Sequence, residues 1–193
     1  MLKLLSLLLL TYLLLGCISN KTPRESFYYL LDAAPMKEHN STAGASKELT
    51  KTYIKLSTVR VPDYLQQSNL VLKLDNHQIK IANYHFWAQD LSESIQRVLM
   101  RELNAASPGV IYTQQCVKCA ELIVSIDHFY PTQSGDVVLS GTYTKVSVNK
   151  SQQQVRFLLN SRLEKGGYDE AVVVMRDLVS ELALEMGTLK SSY

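Results

Sequence analysis

The stretch Trp87-Ala88-Gln89-Asp90-Leu91-Ser92-Glu93-Ser94-Ile95-Gln96-Arg97-Val98-Leu99-Met100-Arg101-Glu102-Leu103-Asn104 decides the fold, because the apolar period changes there. Trp87, Leu91, Ile95, Val98, Leu99 and Leu103 recur three or four apart, which leaves Asp90, Glu93, Gln96, Arg97 and Arg101 on the other faces. Such a stripe predicts an amphipathic helix over 87–104. The chain around it reads as strand. Downstream of Pro108 and Gly109, runs at 122–130, 136–149 and 154–164 are long and strand-like, with turns at Gly135 and at Ser151-Gln152. Gly166-Gly167 then precedes a second stripe, Ala171, Val172, Met175, Leu178, Val179, Leu182 and Met186, closed by Gly187. Upstream, Leu70, Leu72 and Leu74 share a face, Asp75-Asn76 turns the chain, and Ile79 and Ile81 resume the alternation of a hairpin. Residues 53–61 alternate until Pro62, which lacks the donor a ladder needs. Phe27-Tyr28-Tyr29-Leu30-Leu31 reads as a first strand, whereas 33–51 is rich in Ser, Thr, Asn and Lys without an apolar period and reads as a surface loop.

Each helix has one apolar face and the strands mostly follow one another, so antiparallel pairing should dominate. The expected fold is α+β, a two-layer sandwich with a mostly antiparallel sheet of about six to seven strands and two amphipathic helices on one face. With 193 residues, 46% hydrophobic and 20% charged, the chain is neither disordered nor collagen-like. That length supports one good core, hence one domain over 27–193.

The apolar residues are unevenly spread. Residues 4–15 hold nine leucines and no charge, just after Lys3, too short a run to span a bilayer and well matched to the core of an export signal. It ends at Leu14-Leu15-Gly16-Cys17, which resembles a bacterial lipobox. Residues 1–16 are then a lipoprotein signal peptide, and Cys17 is the lipidated residue, its thiol carrying diacylglycerol and its new amine an acyl chain such as palmitate. Residues 17–26 form a polar tether containing Pro23, whose last nine residues reach about 30 Å at most. Removing Lys3 with the signal leaves 19 basic against 18 acidic side chains, singly scattered, so no nucleic-acid partner is indicated.

Two cysteines remain, in Cys116-Val117-Lys118-Cys119, an even pair in an oxidising compartment. The first reading is a structural disulfide between Cys116 and Cys119. A redox pair and a metal site stay open beside it, although the motif runs into the strand-like Glu121-Leu122-Ile123-Val124-Ser125-Ile126 rather than a helix, and no second C-x-x-C supplies further zinc ligands. His39, His77, His85 and His128 are isolated, and no Gly-rich phosphate loop, G-x-S-x-G or H-E-x-x-H motif occurs. No catalytic residue, cofactor or metal is therefore assigned. Trp87 reads as core, and Tyr28, Tyr29, Tyr64 and Tyr84 as sheet packing with a wet hydroxyl.

These residues together resemble the PqiC (YmbA) family, the auxiliary lipoproteins of an ABC-type, MCE-domain lipid transport system. The matching positions are Cys17, Tyr28-Tyr29-Leu30-Leu31, Val59-Arg60-Val61-Pro62-Asp63-Tyr64-Leu65 with Leu70-Val71, Trp87-Ala88-Gln89-Asp90-Leu91 continuing to Arg97-Val98-Leu99, and Tyr168-Asp169-Glu170-Ala171. The resemblance implies a non-enzymatic lipoprotein, anchored in the outer membrane with its domain facing the periplasm. It implies docking to an MCE-domain (PqiB-like) membrane protein in support of phospholipid transport and envelope integrity. Self-association into a homo-oligomer is expected with it, because repeated weak contacts around a symmetric tunnel gain effective concentration. Ile18 after the cysteine, where Asp would favour inner-membrane retention, points the same way. Two other functions stay open: a periplasmic thiol-disulfide protein using Cys116 and Cys119, and a chaperone carrying lipid in its own pocket.

Overall fold

The computed structural model describes residues 24–32 and 51–188. Cys17 and the signal, the tether up to residue 23, and most of the expected surface loop (33–50) lie outside the described residues. The elements are β1 (Phe27–Tyr29), β2 (Thr52–Leu56), a 3-10 turn (Asp63–Leu65), β3 (Asn69–Lys73), β4 (Ile79–Trp87), α1 (Leu91–Ala106), β5 (Val110–Thr113), β6 (Ala120–Pro131), β7 (Asp136–Val146), β8 (Gln152–Arg162) and α2 (Tyr168–Thr188).

The α+β class stands, with both expected helices present. The single sheet of six to seven strands is corrected: the described residues hold eight strands in two sheets, ordered β1-β4-β3 and β5-β2-β6-β7-β8. Antiparallel pairing still makes the longest ladders, β6 with β7 and β7 with β8. Three pairs are parallel, β1 with β4 and β2 with both β5 and β6. The β2–β5 pair follows from α1, which carries the chain back to the starting end, so the next strand enters beside β2 in the same direction. That strand, β5, has only four residues, and sequence alternation could not announce it. A side chain places it: the Tyr112 amide donates to Asn104 Oδ1 at 2.8 Å, and Asn104 Nδ2 donates to the Tyr112 carbonyl at 3.1 Å.

Helix α1 begins at Leu91, not at Trp87. Asp90 supplies the reason, because its side chain accepts from the Glu93 amide at 2.9 Å, a cap worth about 1 kcal/mol. Trp87 instead ends β4 beside Tyr29 and is buried, so its core assignment holds.

Strand β6 joins the two sheets. Beyond β2 the chain stays beside it: the Ser57 amide donates to the Leu122 carbonyl at 2.9 Å, and Arg60 forms a parallel bridge with Ser125. Lys73 of β3 then meets Thr132 just past the end of β6. Ile54, Leu56, Leu122, Val124, Leu139 and Tyr143 face inward and form one core with Ile95, Val98 and Leu99 of α1 and Leu178, Val179 and Leu182 of α2. Burying each such side chain contributes roughly 1.5–3 kcal/mol before chain entropy is subtracted.

Candidate interaction surfaces

Segments far apart in sequence meet at the flank of α1. Arg97 Nε donates to Asp32 Oδ2 at 2.7 Å, which ties the end of the first strand segment to the helix. The same guanidinium reaches Ser94 Oγ at 3.0 Å and the side chain of Gln89, and it lies 3.6 Å from Glu93. Ser92 Oγ donates to the Val59 carbonyl, and buried Gln96 donates to the Leu56 carbonyl at 3.2 Å. A polar cleft of about 670 Å³ opens here, lined by Lys55, Ser57, Arg60, Gln96, Arg97 and Glu121 among others. Within it Glu121 accepts from Ser57 and from Lys55 Nζ at 3.1 Å, and these two bonds hold its carboxyl below the usual glutamate range. Among the described residues each charge of the cleft except Arg60 has an opposite partner.

The parallel strands β2, β5 and β6 all start at one end of the larger sheet, and the β7–β8 turn lies there too. Cys116 and Cys119 form a disulfide in the loop before β6, with Cα atoms 5.9 Å apart. No helix starts at either cysteine, so no helix dipole acts on these sulfurs. A groove of about 600 Å³ separates this loop from residues 147–151 of the turn, with Tyr53 and Cys119 in its lining. Val117 is 88% exposed and Val148 63%, two aliphatic side chains at a polar turn that sequence periodicity gave no reason to single out.

A third surface lies at the opposite end. Phe27 stacks on His85 with ring centroids 5.3 Å apart, and Tyr28 on Phe86 at 5.4 Å. His85 packs in turn on Tyr168 at 4.3 Å, and its Nδ1 lies 2.8 Å from the Tyr29 hydroxyl. Burial first, and then the bond to Asp169, push Tyr29 up to about 12, so its hydroxyl stays protonated and fastens β1 to the start of α2.

The tyrosines and histidines divide by place. Tyr29 is half-buried and hydrogen-bonded, whereas Tyr28 packs across the strands on Phe86 and is 68% exposed. Tyr64 donates to the Asp127 carbonyl at 3.0 Å with His128 beside it, and burial raises its phenol. Tyr84 lies under Arg24, whose guanidinium carbon is 5.6 Å from the ring centre. His77 is in a turn at φ 63°, and His39 lies outside the described residues. Among the described residues no three His, Cys, Asp or Glu side chains gather at metal-binding distance.

The family model of the ABC-type transport auxiliary lipoprotein component matches residues 29–187. The crystal structure of an uncharacterized protein superposes with a TM-score of 0.75 at 25% identity, covering 87% of this chain and 100% of that one. A Xanthomonas campestris protein of family model DUF330 superposes with a TM-score of 0.62 at 7% identity, covering 73% of this chain and 85% of that one, a likeness of fold alone. No curated protein sequence matches.

Proposed function

The chain belongs to the ABC-type transport auxiliary lipoprotein family, and from that membership we propose that it is a non-enzymatic docking subunit of an envelope transport system. Cys17 is the lipid anchor, the membrane is the outer one, and the domain faces the periplasm. Its partner is an MCE-domain membrane protein whose tunnel passes phospholipid between the inner and outer membranes. Copies of the domain gather around that tunnel.

The observation that carries this reading is the family match over 29–187, which takes in the whole described domain except a few residues at its ends. The site geometry supports it. The cleft beside α1 is walled largely by paired charges and amides, and exposed apolar side chains such as Tyr28, Val117 and Val148 lie outside it, an arrangement suited to contact by surface rather than to bond chemistry. A tether that spans about 30 Å at most keeps the domain close to its own membrane, so a long partner must come to it.

The test is the Cys17→Ser variant together with a scan of exposed polar residues. Cys17→Ser should release the protein from the membrane and lose its support of the envelope barrier. His128→Gln and Asp127→Asn should leave that support intact. A single conservative change of this kind that abolished function, with folding, anchoring and partner binding preserved, would contradict a docking role and point to an active site.

A further inference from the structure

Leu158 on β8 and Val173 and Leu184 on α2 are exposed singly, and two further groups of exposed apolar side chains stand apart from them. One comprises Tyr53, Val117 and Val148 at the disulfide end. The other lies along β1 and β4 of the small sheet: Phe27 is 45% exposed and Tyr28 68%, opposite His85 and Phe86 near the end of β4, and Ile79 is 40% and Ile81 46% exposed at its start. Strand directions set this group away from the disulfide end. Lys73 bridges Thr132 in parallel just past the end of β6, β4 runs antiparallel to β3, and β1 runs parallel to β4. The starts of β1 and β4 therefore point toward the end where β6 finishes. The disulfide loop lies where β6 begins, and the twelve residues of β6 span about 40 Å.

Which group meets the membrane is decided by where the chain enters. Seven residue steps separate Cys17 from Arg24, a reach of about 25 Å at most, and Arg24 leads straight into β1. The anchor thus enters beside Phe27 and Tyr28. Aromatic rings favour the boundary between headgroups and acyl chains, where one side of the ring is apolar and the other wet. Isoleucines gain by burial in that layer, and basic side chains at its rim extend their charges to lipid phosphates. Arg24, held over Tyr84, and exposed Lys80, between the two isoleucines, supply such charges.

We propose that Phe27, Tyr28, Ile79 and Ile81 rest in the interfacial layer of the membrane that holds the Cys17 lipid, so that the domain rests on the β1–β4 side of its small sheet with the disulfide loop turned away. This rests on the reading of Cys17 as the anchor. It adds an orientation, in which the membrane takes that side of the small sheet and leaves the disulfide end for a protein partner.

The test uses the mature, acylated full-length lipoprotein in vesicles of phosphatidylethanolamine and phosphatidylglycerol, a fraction of whose lipid carries a doxyl quencher. Tyr28→Cys, Ile81→Cys and Val148→Cys are each labelled with a polarity-sensitive fluorophore without reductant. The labels at 28, at 81 or at both should be quenched at least about threefold more than the label at 148, as insertion to the headgroup boundary requires. Vesicle-bound protein with quenching at neither 28 nor 81, or with equal quenching at 148, overturns the orientation and leaves the anchor in place. Protein that does not remain on the vesicles overturns both.

Discussion

Arg97 Nε and Asp32 Oδ2 lie 2.7 Å apart across 65 positions of sequence, and this ion pair fastens the strand that follows the tether to the central helix. Only three residue pairs join β1 to β4, so this ion pair adds to the hold that the Tyr29 hydroxyl and buried Leu31 give the segment. The Asp32 side chain is 20% exposed and Arg97 36%, so solvent screening is partial. Arg97→Lys keeps the charge but loses the fork that reaches Asp32, Gln89 and Ser94 together. We expect a loss of about 1–2 kcal/mol in urea unfolding, with faster amide exchange confined mainly to residues 28–31. An unchanged exchange pattern would show that the pair does not hold the strand.

Glu121 gives a pH prediction. Its folded-state pKa is depressed by the bonds from Ser57 and Lys55, so its contribution is present above the ordinary glutamate pKa and is lost as pH falls through the depressed one. Glu121→Gln should therefore cost about 1 kcal/mol near neutral pH, and the gap to the parent should close on acidification. Urea midpoints of both proteins at neutral and at strongly acidic pH measure this. A constant gap would contradict it.

Gly141 is required by close approach. It stands opposite Ile126, where the β6–β7 register shifts, and a Cβ there would overlap the Ser125 carbonyl oxygen and come within 3.0 Å of Phe157 Cζ. Gly141→Ala should cost more than about 3 kcal/mol or prevent folding, because backbone forms one side of the clash. Near-parental thermal stability of that variant would contradict this packing.

Both helices, the hairpin and the long strands were legible in the sequence because each keeps its period over many residues. The division into two sheets was not, since it depends on long-range pairing of β1 with β4 and of β2 with β6, and the edge of the larger sheet is β5, a strand of four residues. The stripe places the start of α1 too early because Trp87 fits it as well as it fits the end of β4; the Asp90 cap with Glu93 three positions later carries the correct signal. Trp87 as core could be read from residue type alone. The Arg97 junction could not, because no local pattern relates Asp32 to a helix 65 positions on. The exposure of Val117 and Val148 was equally illegible, since each sits in a short loop without periodicity.

The Cys116–Cys119 loop is short, so its bridge should contribute about 2 kcal/mol at most by restricting the unfolded chain. The Cys116→Ser, Cys119→Ser double variant should fold, with a modestly lowered melting temperature and an intact role in the envelope. Thiol labelling of freshly isolated protein without reductant should find no free pair. Quantitative labelling of both sulfurs, or loss of function in the folded double variant, would favour thiol-disulfide chemistry.

The central claim is that this domain works by holding a transport partner at its membrane. Affinity purification of the intact lipoprotein from solubilised envelopes, with the recovered proteins identified by mass spectrometry, tests it most directly. The account predicts an MCE-domain membrane protein among them, retained by the parent and by the polar-residue variants. Recovery of the lipoprotein with phospholipid in its own cleft and no such partner would contradict the account.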